Sequence, residues 1–215
     1  MTDPRFKGID EKAELLFSCT VSPEGWGALT DIHDERVLKF YGTHPWYHQK
    51  TSIDGLEKIL KEDRRAQVGE IGLDSVFGPI GDQMESFIQQ LELAEKYGRI
   101  ANIHMVRCEN EMLKILRKHK VTAILHSFTG PDSYVRSFAD CGCYFSISPR
   151  VHRKSEKRIM SLLSLIPEDR LLIETDSPDN AMDMEEHIAR LSKLMSMGPS
   201  DLEQVTLRNS RSLLP

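Results

Sequence analysis

Residues 170–180 read RLLIETDSPDN. Leu171, Leu172 and Ile173 form an unbroken apolar run, the kind buried when a parallel sheet is covered on both faces. The run passes directly into two acids, Glu174 and Asp176, followed by Ser177-Pro178. A carboxylate left unpaired at the end of a buried strand costs on the order of several kcal/mol. Either these acids sit in water past the strand, or something positive meets them.

Comparable short apolar or β-branched runs occur at Leu15–Val21, Val37–Gly42, Ala66–Glu70, Ile100–His104, Thr122–His126 and Cys143–Ile147, with Leu171–Thr175 closing the series. Segments of helical period lie between and after them: Gln83–Tyr97, Glu109–Lys118, Ser155–Leu165, Met184–Met197 and Asp201–Leu214. Continuous apolar strands alternating with amphipathic helices predict an α/β fold with a parallel sheet. About seven β/α units suit either an open doubly wound sheet or most of a TIM-type (β/α) barrel. With no low-complexity tract, repeat or linker-like stretch, residues 1–215 read as a single domain.

Composition narrows the function classes. At 40% hydrophobic and 28% charged residues the chain is an ordinary globular one, with no apolar run near the roughly 20 residues that cross a bilayer. No secretion signal is read at Met1–Lys7. Four cysteines, two in Cys141-Gly142-Cys143, read as reduced thiols, so a cytoplasmic location is expected and no membrane partner. A net charge of −5 gives no general attraction to nucleic acid, so a polyanion would need a local basic patch. Arg150, Arg153, Lys154, Lys157 and Arg158 follow one strand and supply a candidate, read either as a phosphate contact or as a solvated charged loop.

The strand ends carry the chemistry. His44, Glu70, His104, His126 and Asp176 all stand where an apolar run stops. In a parallel barrel such ends converge on the rim that holds the active site. Imidazole with carboxylate is the ligand set of divalent metals such as Zn or Mn, and a dication offsets the cost of the carboxylates it binds. The plainer reading is a set of helix caps and satisfied histidines, with Asp176 as an N-cap before Pro178. Trp46 and Phe128, just past strand ends, are placed either to stack a base or to pack under a loop. His48, His119 and His187 fall outside the strand-end pattern.

Eight stretches together resemble the TatD family of metal-dependent deoxyribonucleases, within the amidohydrolase-like TIM-barrel hydrolases. They are YGTHPW (41–46), VGEIGLD (68–74), QMESFIQQLELAEKYG (83–98), IHMVRC (103–108), LHSFTG (125–130), YFSISPRV (144–151), IPEDRLLIETDSP (166–178) and VTLRNSRSLL (205–214). The resemblance implies one or two divalent ions (Mg, Mn or Zn) per chain. Glu70 would bridge them, His104 and His126 would hold one, and Asp176 would hold the other and take a proton from the attacking water. His44 would line the site near the scissile phosphate, and the role of Glu174 stays open. The implied reaction is hydrolysis of phosphodiester bonds in DNA, single-stranded and from a 3′ end. Two alternatives remain: a barrel hydrolase of amides, esters or lactones, and a non-catalytic relative that binds nucleic acid or a protein.

The chain also departs from the family pattern. It contains no His-x-His, the family's first-strand ligand pair, and its runs are one short of eight. Residues 2–6 (TDPRF) resemble the segment that follows that strand, and Ile9–Leu16 is compressed where a first helix is usual. Arg107 stands one place later than in the family's His-Cys-Arg, and the region after Pro178 is shorter. These departures predict a barrel lacking its first strand, through a start lying upstream or true loss of one metal position. Weak or absent nuclease activity is then expected of the chain as it stands. Nothing in the sequence bears on oligomeric state.

Overall fold

Apolar strands and amphipathic helices alternate as their hydrophobic periods demand. The computed structural model describes residues 13–177 and 182–214, so expectations placed on residues 2–12 and 178–181 lie outside it. The succession is β1 (Leu16–Cys19), α1 (Trp26–Thr30), β2 (Val37–Tyr41), α2 (Ile53–Glu62), β3 (Gln67–Asp74), α3 (Ile80–Tyr97), β4 (Ala101–Val106) and α4 (Glu109–Leu116). It continues with β5 (Ala123–Leu125), α5 (Asp132–Asp140), β6 (Tyr144–Ile147), α6 (Glu156–Leu165), β7 (Leu171–Ile173), α7 (Met184–Leu194) and α8 (Pro199–Arg211). All seven strands fall inside or across the predicted apolar runs. Their order in the sheet follows the chain, with parallel pairing from β1 through β4 and between β6 and β7. This is the β/α succession of a TIM-type fold with seven strands.

By contact the chain divides into two compact units, residues 1–124 with 215, and 125–214. In the first, Leu38, Phe40, Val68, Ile71, Leu73, Ala101 and Ile103 are fully buried, and α3 covers β3 with Phe87, Leu91 and Ala94. Helix α3 stops at Gly98, whose left-handed backbone (φ 61°) closes the last turn, its N–H bonding to the carbonyls of Ala94 and Glu95. In the second unit Phe145, Ile147, Leu171 and Leu172 of the strands are buried, as are Val135, Phe138, Ile159, Leu191 and Leu202 of the helices. Phe128 is buried here, 5.1 Å from the Phe145 ring, so of its two sequence readings packing prevails. Among the described residues no helix is long and apolar enough to cross a membrane. No disulfide joins the cysteines among the described residues, and burial pushes the Cys108 and Cys143 thiols up to about 12, so Cys141-Gly142-Cys143 presents no thiolate pair.

Two strands run further than the sequence predicts. Gly72 and Asp74 are poor strand formers, yet Ile71 and Leu73 keep pairing with Ile103 and Met105, and β3 extends to Asp74. Glu70 and His104 therefore lie within their strands, not at the ends. Between Gly69 and Ile71 the register slips by one, leaving Glu70 as the extra residue of a bulge, a device that re-aims a side chain. Opposite His104 stands Gly72 (φ 146°), where a Cβ would lie 1.9 Å from the His104 carbonyl oxygen.

Glycine is thus obligatory at 72 on two grounds, conformation and space. Gly72→Ala is expected to cost about 3 kcal/mol or more. Gly98→Ala, left-handed but with nothing within 4 Å of the added carbon, should cost only about 1–2 kcal/mol. Urea unfolding of the two variants beside the parent chain measures the difference.

Candidate functional site

In the first unit His104 lies between two carboxylates. Its Nδ1 is 2.9 Å from Glu70 Oε1 and its Nε2 is 3.2 Å from Asp74 Oδ2. A neutral imidazole has one N–H, so it donates to one acid and turns a lone pair on the other. Asp74 is the acceptor built for that proton. It also accepts the Trp46 indole N–H at 2.8 Å and the amides of Val76 and Phe77 at 2.9 and 3.1 Å. Burial alone raises the Asp74 carboxyl, but these donors together with His104 outweigh it and hold the group below its ordinary range.

With its proton on Nε2, His104 presents the Nδ1 lone pair to Glu70. Two electron pairs facing each other repel unless a proton or a metal cation lies between both atoms. The 2.9 Å gap matches two neighbouring ligands at right angles on bonds of about 2.1 Å. The donor set and its spacing therefore fit a divalent metal.

His44 follows β2 and completes a group whose ligand atoms lie within 4.8 Å of one another, a candidate His/Glu/His metal site. Its Nδ1 accepts the Trp46 backbone N–H at 3.2 Å, which leaves the proton on Nε2, 3.5 Å from Glu70 Oε1. Burial pushes its pKa below the usual imidazole value, so the ring is neutral. Proximity admits His44 as a third ligand. The tautomer makes its Nε2 a hydrogen-bond donor instead.

The second unit repeats the arrangement. His126, immediately after β5, has Nδ1 3.0 Å from Glu174 Oε2 and Nε2 3.2 Å from Asp176 Oδ1. Glu174 also accepts Ser146 Oγ and the Ser127 amide, both at 2.6 Å. It is the orienting partner, and the Nε2 lone pair turns to Asp176. Arg150 Nε lies 2.8 Å from Asp176 Oδ2. Ser127 and Asp176 both take left-handed backbone conformations (φ 47° and 53°), bending the chain directly past its strand.

The structure thus brings Glu70 to His104 and His44 in one unit, and His126 to Asp176 and Arg150 in the other. Arg153 is exposed and has no ion pair among the described residues. Sequence reasoning passed over Asp74 and left Glu174 undecided. Side-chain period exposes the first: Glu70 and Asp74 flank position 72, opposite which His104 stands. His187 had no signal in the sequence. It is fully buried, donates through Nε2 to the Ile147 carbonyl at 2.9 Å and accepts His152 Nε2–H at 3.0 Å.

An α/β chain of barrel type whose imidazoles and carboxylates are paired for cations has the build of a metal-dependent hydrolase. The TatD related DNase family model matches residues 7–215, and the chain belongs to that family of metal-dependent hydrolases. It is 28% identical to an uncharacterized metal-dependent hydrolase, YcfH, of Escherichia coli (strain K12), over 94% of this chain and 84% of that one. It is 29% identical to the 3′-5′ ssDNA/RNA exonuclease TatD of Edwardsiella piscicida, over 79% of this chain and 65% of that one. Among solved structures, the TatD homologue YJJV of Escherichia coli superposes with a TM-score of 0.81 at 23% identity, covering 94% and 86% of the two chains. That likeness establishes the fold.

Two expectations follow. Glu174→Gln keeps the shape of the second group but weakens the hold on the His126 proton. Calorimetric titration with Mn²⁺ should show affinity lower by about 10–100-fold, with the melting temperature close to the parent's. The histidine pair gives a pH dependence. Burial lowers the pKa of both His187 and His152, as of His44, so the unfolded chain takes up protons below about pH 6.5 while the folded chain resists them. Stability should therefore fall as pH drops from about 7 to about 5.5, and His187→Gln should flatten the fall in a urea-midpoint series.

Proposed function

We propose that the chain, acting as one catalytic domain over residues 1–215, hydrolyses phosphodiester bonds in single-stranded DNA with the help of divalent cations. The observation that supports this reading is the paired geometry in which His104 lies between Glu70 and Asp74, and His126 between Glu174 and Asp176. Glu70 with His104, and Asp176 with His126, would each hold a cation, which is Mg, Mn or Zn. When bound, the cation supplies Lewis acidity, bringing the pKa of water toward neutrality and stabilising charge on phosphoryl oxygens. Asp176 accepts the proton of the attacking water, and Arg150, which sits against it, meets the phosphate. His44 offers its Nε2–H to a phosphate oxygen from the other side of Glu70, and Arg153 follows the strand as a more distant backbone contact. The family match and the exonuclease name of the Edwardsiella relative support nucleic acid as the substrate class.

The test is release of nucleotides from a 3′-labelled single-stranded oligonucleotide with Mg²⁺, Mn²⁺ or Zn²⁺ supplied in turn. Activity, expected to be weak in the chain as it stands, should require a divalent ion and fall about 10²–10³-fold in Glu70→Ala, an effect of the size seen when a single group that stabilises transition-state charge is removed. Hydrolysis of ester, amide or lactone substrates with no release from DNA would replace this reading by the second enzyme class. No turnover and no metal uptake would leave a binding protein.

A further inference from the structure

We propose that Trp46 and Phe77 form a stacking platform for a nucleobase of the substrate strand, one nucleotide's reach from the Glu70–His104 pair. The inference rests on the reading of DNA as substrate. Trp46 is 48% exposed and Phe77 53%, unusual for two large aromatic side chains already in contact. Their rings lie 5.7 Å apart and are tilted by only 23°, an offset stack with π surface open to solvent.

The platform is fixed in place. Asp74 accepts the Trp46 indole N–H and the Phe77 amide, and the same carboxylate holds His104. One carboxylate therefore orients both aromatic residues and the imidazole beside Glu70. The Trp46 ring centre is 4.9 Å from that of His44 and 6.4 Å from that of His104, edge-on to both. A base resting on this pair would bring its own phosphate toward the His44 Nε2–H.

Charge favours a nucleotide over an apolar protein surface. Arg107 follows β4 in a left-handed conformation (φ 51°), and its carbonyl accepts the hydroxyl of Ser75, two residues before Phe77. Its guanidinium is exposed and has no ion-pair or hydrogen-bond partner among the described residues. An aromatic face with an uncommitted cation on the neighbouring strand end suits one base and its backbone phosphate.

Intrinsic fluorescence reads this directly. The chain has two tryptophans. Trp26 is buried with its indole N–H on the Gly42 carbonyl, so a quencher in solution reaches Trp46. Titration with a short oligothymidylate in metal-free buffer should quench the emission, whereas an abasic oligonucleotide of the same length should not. Trp46→Ala should bind a dye-labelled oligothymidylate about tenfold or more weakly. Phe77→Ala, which keeps the Trp46–Asp74 bond, should weaken binding in the same direction. In turnover the loss should fall on KM for the oligonucleotide. Equal quenching by the abasic strand, or unchanged affinity in both variants, overturns the platform and returns the pair to an apolar face for a protein. Those outcomes are separate from failure of the parent chain to hydrolyse DNA, which removes the proposed function itself.

Discussion

An imidazole held between two carboxylates is the interaction on which the functional part of this chain depends. Acids gathered in a partly buried place repel one another and resist losing water, and one ring between them relieves only one. The chain settles the question asymmetrically. Asp74 and Glu174 are each surrounded by N–H and O–H donors and fix the tautomer, so that Glu70 and Asp176 face the remaining nitrogen. The outer acids hold one nitrogen of each ring, and the inner ones lie against the other. Both units thus repeat one hydrogen-bonding pattern around an imidazole.

The surrounding backbone is arranged to permit this. Glu70 occupies a bulge, Gly72 gives up a side chain so that β4 can approach, and Arg107, Ser127 and Asp176 each adopt a left-handed conformation directly after a strand. Left-handed backbone is unfavourable for side chains other than glycine by about 1–2 kcal/mol and persists where neighbouring contacts hold it. Three of the four described non-glycine residues of this kind lie at strand ends beside candidate site residues. The fold carries its strain where the chemistry is.

Much of this was legible in the sequence because buried parallel strands announce themselves as apolar runs, and all seven did. The residues that end or interrupt those runs, His44, Glu70, His104, His126 and Asp176, stood out because charge beside buried strand demands a reason. What stayed hidden depends on pairing. Asp74 looked like the end of a motif until β4 set His104 opposite Gly72, and Glu174 could not be told from a surface acid until Ser146 and Ser127 were seen to bond it. Trp46 and Phe128 occupy similar places past strand ends, yet one is exposed and the other buried, because only Phe128 has Phe138 and Phe145 to pack against. Helix α1, five residues long, is too short to show a period, whereas α2 spaces Ile53, Leu56, Ile59 and Leu60 as a helix does and was there to be read.

The slip in β3 reaches beyond Glu70 itself. Side chains along a strand alternate between two faces, and one supernumerary residue sets the phase of everything after it. Shortening the chain by that one position would leave a perfectly good strand, with its ladder to β4 if anything more regular. Because Ile71 to Asp74 would keep their partners Ile103 to Val106, Asp74 would still reach His104, and what would be missing is the acid on the other side of that ring. An innocuous-looking deletion of one residue would thus take a side chain out of the candidate site and leave the pairing of the two strands as it is.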